Sequence, residues 1–306
     1  MLNKTHLLGF FFLVAVQILW SQQLSILTLS DFDLKGPVEK CVVFTKYGQE
    51  QYAFNEKGYL ISAATIFSKD DSETVYYKYE HDRLVEKRVE VYVNGRLDKS
   101  ASLASFYSYE HTPNFAIKER VMNYDRVFID QFQYKYDSIG RLFQQLRTNL
   151  EGRYVTDISQ QWDALHAVKK VTYLTDSIPV VKVDSFFSAP KNIFNKVVTT
   201  QFAEGTMKSQ STAFFNPKKQ LVKLQELNYL VQDSLLVPVE KIAYDYAYNE
   251  LGNLVKEVIK KGVTSQTKKL LYQLDGSPYK NWIKKIVTPD NTYTTRRIIY
   301  FDKNLP

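Results

Sequence analysis

The chain has 306 residues, 44% of them hydrophobic and 24% charged, with a formal charge of +7 and a sequence pI near 9.1. That is enough chain to bury a sizeable core and too much for a disulfide-stapled miniprotein, and the single cysteine, Cys41, excludes both an intramolecular disulfide framework and any CxxC metal or redox motif. The 22 Tyr and 19 Phe, beside only 11 Gly, favour strands over helices.

The first six residues carry Lys4 and no acid, and residues 7–20 (LLGFFFLVAVQILW) form an almost unbroken apolar run that stops at Ser21 and Gln22. Its 14 residues fall short of the roughly 20 that span a bilayer as a helix. A charged start, an apolar middle and a small residue at the end are the layout of a secretory signal peptide. The expectation is a signal peptide over 1–21 and one mature domain over 22–306, exported to the periplasm, the cell surface or the medium, and not membrane-spanning once the leader is cleaved. No cysteine follows the apolar run to take a lipid. Cys41 reads as a small buried apolar residue.

From residue 52 onward one short pattern recurs. Its clearest copies run Tyr52 to Leu60 (YAFNEKGYL), Tyr134 to Leu142 (YKYDSIGRL) and Tyr246 to Leu254 (YAYNELGNL). With the Asp/Asn position as marker, weaker copies fall into register at Asn55, Glu80, Glu110, Asp137, Asp163, Ser188, Asn216, Asn249, Asp275 and Asp302. The period is about 27 residues, in the range of repeat architectures. The residue before the marker is aromatic in nine of the ten copies, and five residues after it an apolar residue stands in eight. An aromatic-x-aromatic run puts both rings on one face of a strand. The Asp/Asn side chain then opens a tight turn, and Gly supplies the positive φ that closes it. Where His166 or Lys219 replaces that Gly, a looser hairpin is expected. Between markers, residues 84–93 and 126–136 alternate apolar with polar, the habit of an antiparallel sheet with one wet face. Residues 221–232 come nearest to helical spacing, but a marker directly precedes them and they read as strand.

The string Tyr134-Lys-Tyr-Asp-Ser-Ile-Gly-Arg-Leu142 resembles the YD repeat of the RHS/YD-repeat family, Tyr-x-Tyr-Asp-x-x-Gly-Arg-Leu. The segments from Tyr79 to Leu84 and from Tyr248 to Leu254 look like reduced copies. The resemblance implies β-hairpins in a long sheet that curls into a shell, and, for small degenerate exported members, a repeat scaffold with no defined reaction. The chain is too short for such a shell and lacks a distinct C-terminal effector segment. The expected fold is therefore all-β: about ten hairpin units, some twenty strands, in a long curved or spiral sheet with the aromatic face on its concave or inter-layer side.

Little in the sequence carries chemistry. His81, His111 and His166 all sit in repeat turns; His81 and His111 each follow a Glu in equivalent turns, a pairing zinc would accept across hairpins, but the position in the repeat reads them as exposed turn residues. No nucleophile elbow, HExxH or phosphate-cradling loop is present. No catalytic residue, metal ligand or cofactor is assigned, and the chain reads as a non-enzyme. The basic residues are uneven: residues 256–303 hold eleven Lys/Arg against four acids, a net +7, while 22–255 sum to −1. Lys256, Lys260, Lys261, Lys268, Lys269, Lys284, Lys285, Arg296, Arg297 and Trp282 form the candidate binding patch. Its expected partner is a protein or an anionic envelope glycan, since export argues against nucleic acid. The leading expectation is an exported binding scaffold; the alternatives are an outer-membrane β-barrel and a glycan hydrolase with two carboxylates across a cleft.

Overall fold

The computed structural model describes residues 26–111, 115–188, 193–232 and 235–301; the expected leader and the marker Asp302 lie outside the described residues. The strands are β1 Val38–Thr45, β2 Gly48–Phe54, β3 Leu60–Ile66, β4 Ser72–Glu80, β5 Arg83–Val93, β6 Arg96–Leu97, β7 Leu103–Glu110, β8 Ala116–Asn123, β9 Phe128–Tyr136, β10 Leu142–Asn149 and β11 Gly152–Asp163. They continue as β12 Val168–Thr175, β13 Ile178–Ser188, β14 Ile193–Ala203, β15 Thr206–Phe215, β16 Leu221–Gln232, β17 Leu235–Tyr248, β18 Leu254–Lys261, β19 Thr264–Leu274, β20 Trp282–Thr288 and β21 Thr292–Tyr300.

Each strand pairs antiparallel with the next, except that the two-residue β6 folds back on the end of β5 and it is β5 that goes on to pair with β7. The last strand returns to the first, with Cys41 opposite Ile298 and Val43 opposite Arg296. Twenty strands thus form one closed ring. The long, curved sheet of antiparallel hairpins is as expected, and its curve closes into a barrel rather than running on as a spiral. At about 4.8 Å per strand the wall measures roughly 96 Å around before tilt. Twist carries it through a full turn, and the two edges that a spiral would leave exposed satisfy one another.

The nine described markers all lie at one rim, in the turns from β2–β3 to β19–β20. Their geometry repeats closely. At Asp137 the side-chain Oδ1 accepts from the N–H of Ile139 (3.1 Å) and Arg141 (2.8 Å), while Gly140 N–H donates to the Asp137 carbonyl at 3.0 Å. Asn55 and Asn216 do the same, and Lys219 takes the left-handed conformation, φ 63°, that Gly fills elsewhere. At the Asp163 turn the strained residue is Ala167, φ 49°, not His166; this turn holds one more residue between marker and strained position. Just past most of these turns the register shifts, so that Phe54 pairs with Leu60, Tyr79 with Leu84 and Tyr248 with Leu254. These are β-bulges, each leaving a carbonyl outside the ladder. A tyrosine from the next unit bonds it: Tyr79 Oη donates to Leu60 O, Tyr109 to Leu84 O, Tyr248 to Leu221 O and Tyr272 to Leu254 O, each at 2.8 Å. Here lies a physical reason for the tyrosine excess: the ring fills the inner layer and the hydroxyl satisfies the bulge.

Side chains alternate between the two faces of the wall. Inward residues are covered, as Phe54 (1% exposed), Tyr136 (4%) and Ile158 (6%) show, whereas outward Phe44 and Phe106 remain 43% and 44% exposed. The apolar layer concentrates in two clusters, one around Cys41, Val43, Tyr52, Phe54 and Leu60, the other around Ile117, Tyr136, Leu142 and Ile158. Charges instead crowd the outer face, in pairs such as Lys182–Asp184 along β13 at 3.1 Å and Lys260–Asp245 between β18 and β17 at 2.8 Å. Segment 27–36, with a short 3-10 turn at Leu29–Phe32, lies over the first cluster at the marker rim. It is fastened to the far end of the chain. Buried Asn281 accepts from Lys35 N–H (2.9 Å) and donates to Lys35 O (2.8 Å) and to the Tyr300 hydroxyl (2.7 Å), and the Tyr300 hydroxyl donates to Asp275. Gly36, φ 79°, lies so close to the ring of Tyr279 that any Cβ there would overlap it.

Candidate functional site

Pleating separates the basic C-terminal residues. On β18 to β21, Lys256, Lys260, Lys269, Lys284 and Arg297 face outward, while Lys261, Lys268, Lys285, Arg296 and Trp282 face inward with Tyr272 and Glu257. The patch is therefore two half-patches on opposite sides of one wall. Adjacent positions such as Lys284 and Lys285 must part in a strand. Trp282 joins the inner set because a register shift between β19 and β20 pairs it with Leu274 and puts Lys285 opposite Tyr272.

The inner half has a particular electrostatic character. The Arg296 guanidinium lies 3.5 Å from the centre of the Trp282 ring, and the Lys285 ammonium lies 5.2 Å from the same ring. Trp282 is buried, and Tyr272 meets it edge-on at 6.0 Å. Neither cation forms an ion pair with a described carboxylate, and Arg296 Nε and Nη1 are buried without a hydrogen-bond partner. Burial pushes the Lys285 ammonium below the usual lysine range, and the charge of Arg296 pushes it further the same way. Burial likewise lowers Arg296. Ring closure brings β1 and β2 against this niche: Glu50, which accepts from the Tyr52 hydroxyl at 2.7 Å, and Asp33 from the segment over the rim are close enough to be felt by both cations. Cys41 is buried in the neighbouring cluster, and burial pushes its thiol up. A desolvated cation pair beside an aromatic face, with donors unfilled, is a seat for an anion.

A second group of inward side chains carries carboxylates. Burial raises Glu226, which accepts from Tyr244, while Lys261 (an ion pair) and Asn228 (3.1 Å) hold Glu240 down on the neighbouring strand. The histidines stay apart. His111 meets Arg83 at 3.4 Å and Phe115, and His166 bonds Asp163 at 3.1 Å. Among the described residues no three His, Cys, Asp or Glu side chains gather as a metal site would require.

No protein-family model matches the chain, and no curated protein matches it. Solved structures to which it is similar include a porin-like protein from Bacteroides uniformis, at 10% identity and a TM-score of 0.37 over 86% of this chain and 96% of that one. Another is the Tc holotoxin pore of Photorhabdus luminescens, at 8% identity and a TM-score of 0.32 over 80% of this chain and 17% of that one. A third is TcdB2-TccC3 without its hypervariable C-terminal region, at 8% and 0.34 over 81% and 15%. The chain spans less than a fifth of the two toxin chains.

Proposed function

We propose that the protein is an exported, non-enzymatic β-barrel of the cell envelope, a repeat scaffold of YD type, that binds an acidic glycan through the inner niche of Lys285, Arg296 and Trp282. The observation that carries this reading is the pair of neighbouring buried cations, neither in an ion pair with a described carboxylate, and two unfilled guanidinium donors. A buried charge left unpaired is costly, and a ligand carboxylate or phosphate relieves that cost while an aromatic wall suits a sugar. Hydrolysis has less to rest on, because Glu240 is engaged by Lys261 and Asn228. Calorimetric titration of the mature chain with oligogalacturonate tests the proposal. Arg296→Gln and Lys285→Met should each weaken binding about tenfold or more, the scale of one charge-assisted contact, while outward Lys284→Gln and Arg297→Gln leave it unchanged. No binding by the unaltered chain, or equal losses from inner and outer variants, overturns it.

An outer-membrane barrel is the second reading, and the closure of an even number of antiparallel strands favours it. The outward Lys78, Lys118, Lys182 and Lys260 weigh against it. A lysine on the lipid face costs about 2–4 kcal/mol at mid-height and less towards the interfaces; Lys182 stands in mid-strand, and Lys78, Lys118 and Lys260 lie nearer their strand ends. Fractionation separates the two: a lipid-embedded barrel leaves the membrane only with detergent, a water-facing one is released without it.

A further inference from the structure

On the outer wall the register lines side chains up in rows that cross the strands. From β18 to β1 the outward positions hold Lys256, Lys260, Lys269, Lys284, Arg297 and Lys40, and no carboxylate. Of these cations only Lys260 forms an ion pair with a described carboxylate, Asp245 on β17. Lys256 and Lys269 stand directly opposite each other. Like charges so placed destabilise a sheet, and a carboxylate laid over them would relieve the repulsion. The adjoining row is apolar: Leu271 lies opposite Ile286, and Ile286 opposite Tyr293. Leu271 and Tyr293 are 60 and 64% exposed. One row nearer the marker rim come Gln273, Lys284, Thr295 and exposed Phe44, and beyond them Arg297 beside Val42. Lys284 leans back over the Tyr293 ring at 5.3 Å. An apolar row thus runs between two cationic ones.

The spacing selects the partner. Same-face residues two apart on a strand are separated by about 6.7 Å, so the Lys269 and Lys284 rows lie about 13 Å apart with the Leu271 row midway. An α-helix with its side chains is about 10–12 Å across. Laid along the middle row, a helix would set an apolar stripe on Leu271, Ile286 and Tyr293. Carboxylates on its two flanks would then reach Lys256 and Lys269 on one side and Lys284 and Arg297 on the other. A polyanionic sugar would meet the cations and leave the apolar row wet. A flat bilayer would touch only the crest of the arc, because five of the twenty strands turn through about a quarter of the ring.

We propose that the outer wall from β18 to β1 docks an acidic amphipathic helix of a partner protein, its apolar stripe on Leu271, Ile286 and Tyr293 and its carboxylates on Lys256, Lys269, Lys284 and Arg297. Fluorescence anisotropy with the mature chain tests it, using a labelled helical peptide whose leucine stripe is flanked on both sides by glutamate. The unaltered chain should bind this peptide, and should bind far more weakly both the same stripe flanked by lysine and a stripe-free polyglutamate. Leu271→Ser with Tyr293→Ser should weaken binding about tenfold or more, the effect of leaving two exposed apolar side chains uncovered. Lys269→Glu with Lys284→Glu should abolish it. Arg120→Gln, outward on β8 far round the ring, should change nothing. All of these positions face outward, and unchanged urea midpoints would show the fold intact. Lys285→Met removes a cation from the inner niche and should leave peptide binding as it was, so this proposal and the glycan reading fail independently. Failure of the unaltered chain to bind the acidic stripe, equal binding of polyglutamate, undiminished binding by either double variant, or displacement of the peptide by phosphatidylglycerol vesicles would each overturn the proposal.

Discussion

At the marker rim, turn after turn is built from the same parts: an Asp or Asn that accepts from the backbone, a left-handed residue, a bulge, and a tyrosine hydroxyl from the next unit. At the opposite rim the hairpins close more briefly, over Asp176-Ser177 or Glu204-Gly205 with both residues at positive φ, and their tips carry apolar side chains without partners. The first rim places its aromatic residues where they hold the wall together. The second places them where the wall gains nothing. An exposed Val263 or Leu230 contributes no packing to the barrel, so the uniform rim is where stability should reside and the variable rim is where substitutions should cost the wall least.

High pH should break the comparison hardest. Burial raises the inner tyrosines near the marker rim, with Tyr136 and Tyr272 pushed up to about 12. A group raised in the folded state contributes stability that is complete below its unfolded pKa, about 10, and is lost as pH climbs through the folded value. At pH 11 each such buried tyrosine forfeits about 1 kcal/mol. Denaturant midpoints should therefore fall steeply between pH 10 and 12, and hydrogen exchange should show marker-rim amides opening before those of the opposite rim; simultaneous opening of both would erase the distinction. Next in size comes Gly36→Val, which combines a left-handed backbone with overlap on Tyr279 and should cost about 3 kcal/mol by urea unfolding. Tyr248→Phe leaves the Leu221 carbonyl unbonded and should cost about 1 kcal/mol, with Tyr272→Phe matching it if the clasp is truly repeated. Lys219→Gly relieves a left-handed lysine and should stabilise by roughly 0.5–1 kcal/mol. At the other rim, Val263→Ser should stay within about 0.5 kcal/mol of zero in the same assay.

Much of the marker rim is legible in residues alone, because Asn55, Asp137 and Asn249 each report a turn through local hydrogen bonding that needs no distant partner. The strand over 221–232 is legible for the same reason: a marker sits directly before it, and β16 has those bounds. Closure is not, since nothing local at Cys41 or Ile298 says that they pair. The niche suffers doubly. Alternation alone would part Lys284 from Lys285 and Arg296 from Arg297, but it would also place Trp282 with Lys284; the bulge at Ile283 reverses that parity. Glu50, Tyr52 and Asp33 join the niche only through the ring, so no count of C-terminal charge could have found them. The rows of the outer wall from β18 to β1 are hidden too, because which side chains adjoin across strands is a property of pairs.

The seam between β1 and β21 also sets the order of assembly. Every other pairing joins strands that are close in the chain, so each hairpin can form as soon as its own residues meet. The seam joins positions some 250 residues apart, and non-local pairing of this kind is slow because the entropy of closing the loop is lost before any contact compensates. Until that moment the wall has two bare edges, each able to accept a strand from another molecule. A barrel of this kind is therefore most vulnerable to runaway association in the interval just before it closes, when nearly all of its sheet is already built.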